Sequence, residues 1–174
     1  ELLEAAGAEV LDLDPLTDTA LPEGTTGLYL GGGFPEMHAL ELSANERLRD
    51  DVRGAVQRGL PTVAECAGLL YLCETLDDTA MVGAVAATAA MAPRLTLRYP
   101  LAVAAGDSLL TRTGEQVTGH EFHRTRTTPE HGDGSTTGAA GPAWRIGDDV
   151  VEGFATDTLH ASYLHTHWAG HPHL

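Results

Sequence analysis

Apolar and polar positions fall into two regimes along the chain. Over residues 27–77, short apolar runs alternate with helical spacing. Gly27, Leu28, Tyr29 and Leu30 run into Gly31, Gly32 and Gly33, which predicts a buried strand feeding a glycine loop. Leu48, Val52, Ala55 and Val56 then recur at i, i+4, i+7 and i+8, one face of a helix. Ser43 with Glu46 three residues on predicts a capping box at its start. Arg58, Gly59 and Pro61 mark its end. Thr62, Val63 and Ala64 predict a second strand, Cys66, Ala67 and Gly68 a tight turn, and residues 69–76 a helix. Upstream, residues 2–8 read as the end of a helix. Residues 10–13 alternate as a short strand, broken by Asp14 and Pro15.

From about residue 93 the period changes. Residues 95–99 alternate between Pro93 and Pro100, and 101–103, 108–111 and 117–122 predict further short strands. Residues 127–142, rich in Gly, Thr and Pro, read as a long surface loop. Residues 150–151, 153–155 and 159–164 close the chain with more strand. Strands alternating with helices predict an α/β fold on a parallel sheet. No internal repeat and no second domain is legible, so residues 1–174 read as one domain.

Composition narrows the function classes. The 174 residues are 43% apolar and 20% charged, ordinary for a globular domain. Net charge is −15, and all ten basic residues are arginine. That excess argues against nucleic acid, whose phosphates call for clustered cations, and against an anionic membrane surface. No run of 18 apolar residues exists. The opening residues lack a basic segment, which argues against a signal peptide, and the missing initiator Met suggests a fragment or processed chain. Cys66 and Cys73, placed on one helix, would stand about 10 Å apart, too far for a disulfide. Free thiols lead to the expectation of a reducing, cytoplasmic setting.

The sharpest chemical signal is the run Val63, Ala64, Glu65, Cys66, Ala67, Gly68, Leu69. A strand delivers one nucleophile-type residue, small residues follow, and a helix starts: the pattern of a nucleophile elbow. The turn lifts the sulfur clear of the sheet, small neighbours let backbone N–H groups approach a substrate, and the helix start favours a thiolate. The same residues also suit a buried structural cysteine. Cys73, between leucines in the helix body, reads as core. A thiolate nucleophile calls for a histidine partner. Five of the nine histidines crowd the end: His160, His165, His167, His171 and His173. On a strand, His165 and His167 share a face. A zinc site would want a third ligand, and no cysteine pair with zinc spacing supplies one. The loop Gly31, Gly32, Gly33, Phe34, Pro35, Glu36 matches neither a Walker loop nor GxGxxG, but beside the elbow it suits an oxyanion-hole donor. Gly119, His120, Glu121, Phe122 and His123 form a compact polar group that suits either substrate placement or a satisfied loop.

Together, the Gly-Gly-Gly-Phe-Pro-Glu loop, the Ala-Glu-Cys-Ala-Gly elbow, the Gly-His-Glu-Phe-His segment and the late Ala-Ser-Tyr-Leu-His-Thr-His resemble, in that order, a known family. It is the C-terminal glutamine amidotransferase domain of the cobyrinic or hydrogenobyrinic acid a,c-diamide synthases, related to cobyric acid synthase. The resemblance covers about residues 1–172. It implies a flavodoxin-like class I glutaminase sandwich with a mainly parallel central sheet and added antiparallel strands in the C-terminal half. It implies Cys66 as nucleophile on glutamine and His165 as its partner. Ala67, Gly32 and Gly33 would line the oxyanion hole, and Glu36 or His123 would place the glutamine ends. Ammonia would pass to an N-terminal ATP-dependent synthetase domain, absent here, which would carry the ATP, Mg2+ and corrinoid acceptor. The family's first strand also looks absent, which would expose a sheet edge, and a homodimer is among the assemblies allowed. No cofactor or metal is expected on this domain. Ordinary class I glutaminases carry Glu two residues after the histidine; here that position is His167, which leaves a Cys66–His165 dyad. Competing readings are a cysteine hydrolase of related architecture, a non-catalytic docking domain of a synthetase, and a His-rich metal module.

Overall fold

In the computed structural model of the chain, residues 2–135, 138–172 and 174 are described. The helices are α1 (Leu2–Ala5), α2 (Ala39–Ala44), α3 (Glu46–Gln57) and α4 (Ala67–Leu72), with 3-10 turns η1 (Pro35–His38) and η2 (Trp168–Gly170). The strands are β1 (Leu28–Leu30), β2 (Thr62–Glu65), β3 (Thr75–Leu76), β4 (Thr79–Ala80), β5 (Thr88–Arg98) and β6 (Leu101–Ala104). They continue as β7 (Gln116–Thr128), β8 (Trp144–Ile146), β9 (Val150–Glu152), β10 (Phe154–Ala155), β11 (Leu159–Ser162) and β12 (His165–Thr166).

Two sheets divide the work. The first runs β1-β2-β11-β10, with β1, β2 and β11 parallel and β10 antiparallel. Its central strands read as apolar runs rather than alternation because both faces are covered; every residue of β2 and β11 is buried. Helix α3 packs here as its spacing predicts, burying Leu48, Val52 and Ala55, with Val56 partly covered. Leu48, Leu69 and Leu72 are fully buried, each contributing about 2 kcal/mol of transfer free energy.

The second sheet runs β4-β3-β5-β7-β6-β8-β9, with β12 on β7, and is antiparallel except for β3 beside β5. The long strands β5 and β7 shift register between Met91 and Thr96, around Pro93, which has no N–H to give the ladder. A second core gathers Trp144, Val117, Ala102 and Leu164. The sheets are tied where Glu152 of β9 accepts from the Ser162 hydroxyl at 2.6 Å and the Tyr163 N–H at 3.1 Å.

Several local expectations are corrected. Asn45, not Ser43, caps α3: its Oδ1 accepts from the Leu48 N–H at 3.4 Å, while Ser43 lies inside α2. Residues 10–13 pair with no strand among the described residues; Asp14 closes a turn on Leu16 and Thr17 instead. Alternation makes a strand only where a neighbour completes the ladder. Residues 108–111 form a turn, because the Ser108 hydroxyl accepts from the Leu110 and Thr111 N–H groups. The helix read over 69–76 starts at Ala67 and stops at Leu72, and Thr75 and Leu76 pair as β3. Strand β7 runs on to Thr128, into the start of the loop read over 127–142, and β8 was not foreseen.

Candidate active site

The end of β2 turns sharply at Cys66, whose backbone has φ +52° and ψ −99°. A non-glycine residue in that region is strained and is held only by its surroundings. Here the Cys66 N–H donates to the Ser162 carbonyl at 2.8 Å, fixing the elbow to the end of β11. Gly68 lets the elbow and the glycine loop touch: its N–H donates to the Gly31 carbonyl at 3.1 Å. A Cβ at Gly68 would stand 2.3 Å from the Leu30 carbonyl oxygen. Gly33 lies beside Ala67, with a Cβ there falling at van der Waals distance, 3.6 Å, from the Ala67 Cβ. Of the sequence-predicted loop residues, Gly33 thus lies beside Ala67, the residue after the buried Cys66, and Gly32 lies against the His165 ring.

His165 arrives from the other sheet. Strand β12 pairs antiparallel with β7, setting His165 opposite His120. The two rings stack at 4.7 Å with an interplanar angle of 11°. On its other side the ring presses on Gly32, where a Cβ would stand 2.6 Å from Cε1. The Cys66 sulfur, within hydrogen-bonding contact, and next Glu65 favour the charged ring; together they outweigh burial and hold its pKa up at about 9. The Cys66 and Glu65 neighbours thus favour the protonated ring over the neutral one.

Glu65 immediately precedes the cysteine and is 4% exposed. Its Oε2 stands 3.6 Å from His165 Nδ1, an ion-pair distance rather than a hydrogen-bond length, and accepts from the Tyr29 hydroxyl at 2.9 Å. Its Oε1 accepts from the Thr166 N–H at 3.1 Å and the Thr166 hydroxyl at 2.8 Å. Burial alone would raise the Glu65 carboxyl, but bonds from His165, Thr166 and Tyr29 prevail and hold it below the usual glutamate range.

The other flagged residues separate. Glu36 sits half-buried in η1, which packs against α4. His123 is drawn into a different cluster. Its ring stacks on Tyr163 at 3.8 Å, its Nδ1 meets the Thr125 carbonyl at 2.9 Å, and its Nε2 lies 3.3 Å from Glu121. Glu121 in turn pairs with Arg98 at 2.8 Å. Of the Gly-His-Glu-Phe-His segment it is His120, not His123, that reaches His165. Cys73 is fully buried, and burial pushes its thiol up to about 12.

His167 is exposed, just past the end of β12, as the extended residue that caps η2. His160 is buried against Trp144, and burial lowers its pKa to about 4. His171 accepts from the Thr118 N–H at 3.1 Å, and His173 lies outside the described residues. Among the described residues no three His, Cys, Asp or Glu side chains gather as a metal would require. No helix of the described residues is long and apolar enough to cross a membrane.

Sequence reasoning passed over Glu65, Tyr29, Thr166 and His120. Glu65 carried a signal, a carboxylate in an otherwise apolar strand and next to a candidate nucleophile. The others depend on which strands pair.

A thiol on a strained elbow, a histidine against it and a glycine loop alongside, on a mixed parallel and antiparallel sheet, define a class I-type glutamine amidotransferase fold. Solved structures share it. One, of PurLQS from Thermotoga maritima, superposes with a TM-score of 0.61 at 16% identity, covering 85% of this chain and 71% of that one. Another, of a glutamine amidotransferase from the same organism, gives 0.54 at 12% identity, over 83% and 58%. The profile of the CobB/CobQ-like glutamine amidotransferase domain matches residues 1–173, and the chain belongs to that family. It is 55% identical over 174 residues to the hydrogenobyrinate a,c-diamide synthase of Streptomyces coelicolor, covering 99% of this chain and 34% of that protein. It is 45% identical over 184 residues to the cobyrinate a,c-diamide synthase of a Synechococcus strain, covering 100% and 39%. The chain spans about a third of the length of these curated relatives.

Proposed function

We propose that this domain hydrolyses glutamine through Cys66 and supplies ammonia for a,c-diamide formation on cobyrinic or hydrogenobyrinic acid. The observation that carries the reading is the Cys66–His165 contact on a strained elbow, in a chain 55% identical to a hydrogenobyrinate a,c-diamide synthase. The Cys66 thiolate attacks the side-chain amide carbon of glutamine. Backbone N–H groups of Ala67 and of Gly32 or Gly33 receive the oxyanion. As the tetrahedral adduct collapses, the C–N bond breaks and His165 gives its proton to the departing ammonia, leaving a thioester and a neutral imidazole. His165 then takes a proton from water as the oxygen attacks the thioester carbon. Collapse releases glutamate and restores thiolate and imidazolium. The sum is glutamine plus water giving glutamate plus ammonia.

Glu36 remains the nearer candidate for the α-amino and carboxylate ends, because both ring nitrogens of His123 are engaged. Ammonia passes to an ATP- and Mg2+-dependent synthetase portion of the longer protein, where the corrinoid carboxylates are held, in a cytoplasmic setting. Exposed apolar side chains flank the site, Phe34 and Met37 beside the glycine loop and Tyr99 against His120, and suit contact with such a portion.

Labelling with a glutamine-mimicking diazo-ketone tests the reading. One adduct on Cys66, blocked by excess glutamine and absent in Cys66→Ala, is expected. Alkylation of Cys66 by iodoacetamide with no diazo-ketone adduct in the full natural chain would refute a glutamine site.

A further inference from the structure

We propose that Glu65 is the positioning carboxylate of this site, holding His165 by Nδ1 so that Nε2 is the ring nitrogen left to serve Cys66. The inference rests on the glutaminase reading and deepens it. Position 167 offers no carboxylate: it is an exposed histidine at the N-cap of η2. The carboxylate comes instead from the residue before the nucleophile, so strand and elbow deliver both acid and thiol to one imidazole.

Three features argue that the contact is built rather than incidental. Glu65 is nearly fully buried, and a carboxylate there is costly unless partnered. Both of its oxygens are committed, with Oε1 held by two donors of Thr166, the neighbour of His165, and Oε2 shared between Tyr29 and His165. Thr166 and His165 make up β12, so one carboxylate fixes both the strand and the ring it carries. The separation of 3.6 Å leaves room to shorten when glutamine closes the site, as apo contacts of this kind often do.

Other titratable groups around the ring are distinct in place. His120 of β7 stacks on its face, and Cys66 meets it from the elbow. Tyr29 of β1 donates to Glu65, and His160 of β11, buried against Trp144, feels the Glu65 charge. A carboxylate at Nδ1 fixes the tautomer of the neutral ring during thioester hydrolysis and stabilises the imidazolium before it. It does not itself take up a proton.

The test is the pH dependence of Cys66 alkylation by iodoacetamide in the full natural chain, read on the Cys66 peptide by mass. A thiolate–imidazolium pair reacts in two steps, and the upper step marks loss of the His165 proton. Glu65→Gln is expected to move that upper step down by about one pH unit. Tyr29→Phe frees Oε2 for His165 and is expected to leave the step in place or move it up. In parallel, glutamine hydrolysis by Glu65→Gln should fall in kcat by roughly 10- to 1,000-fold with KM changed less than about 3-fold, and Glu65→Asp should recover part of it. Tyr29 is half exposed, so its variant folds where a Glu65 variant fails, and a step that moves down in Tyr29→Phe counts against the proposal. An upper step unmoved in Glu65→Gln overturns it. Alkylation needs no glutamine, so it judges Glu65 even if the wild-type protein proves inactive toward glutamine, the outcome that would fell the glutaminase reading instead.

Discussion

The two halves of the site are built in different ways. The Cys66 half is local: strand, strained residue and glycine lie within residues 62–68, on a strand with every residue buried. The His165 half is assembled from a distance. A two-residue strand hangs on β7, and the ring is set by Gly32 from one sheet and His120 from the other. One half is held by backbone and core, the other by a few side-chain contacts at a half-exposed edge. Damage to the first should therefore appear as lost stability, and damage to the second as lost reactivity in a protein that still folds.

Gly68→Ala breaks the first half. The added methyl would overlap the Leu30 carbonyl oxygen at 2.3 Å and the Leu30 Cβ at 2.6 Å. Neither can swing aside, because β1 is bonded into the sheet. A loss of about 3–5 kcal/mol in denaturant unfolding is expected, with Cys66 labelling lost alongside. Unchanged stability would mean that the elbow and the glycine loop are less tightly joined than the Gly68–Gly31 bond indicates.

Gly32→Ala breaks the second half alone. Its added Cβ meets the His165 ring, 2.6 Å from Cε1, and not backbone. Gly32 is exposed, so the ring can yield outward and the fold should change by less than about 1 kcal/mol. On the proposed mechanism, diazo-ketone labelling of Cys66 should slow by roughly 100-fold, because the displaced His165 ring no longer meets the sulfur. Equal losses of stability in the Gly32 and Gly68 variants would erase the contrast between the two halves.

The same contrast explains what the sequence makes legible. Cys66, Ala67, Gly68 and the strand before them announce themselves because the chemistry and its support are contiguous. The apolar face of α3 is legible for the same reason, since helical period is a local property. Residues 10–13 alternate as convincingly as real strands do, yet no neighbour completes their ladder. Ser43 is as good a cap as Asn45 on composition, and the preceding helix α2 decides between them. His123 and His120 are two histidines of one segment; only the pairing of β12 with β7 shows which of them faces His165. Glu65 precedes Cys66 in sequence, but its partners Tyr29, His165 and Thr166 come from β1 and β12, so its role depends on strand placement rather than on any local pattern.

The smallest effect sharpens the comparison at the seam between the sheets. Glu152 is carried by β9 but accepts from Ser162 and Tyr163, at the end of β11. Burial raises its pKa to about 7 from the ordinary 4.5, against the pull of those two donors. A carboxyl raised in this way favours the fold most where it stays protonated in both states. Its contribution is whole below about pH 4.5 and is lost as pH climbs through 7, because the unfolded chain ionises first. Glu152→Gln keeps the shape and cannot ionise. Its stability relative to wild type should therefore improve by about 3 kcal/mol between pH 4.5 and 8, measured as the difference between two denaturant series. Taking the difference cancels the opposing slope from Glu65, which both proteins share. Cys66 alkylation at fixed pH should be the same in the two proteins, since Glu152 ties the sheets together without touching the pair. A flat difference across that range would mean that Glu152 is ionised and matched by its donors, and that the seam between the sheets is as well paired as the elbow.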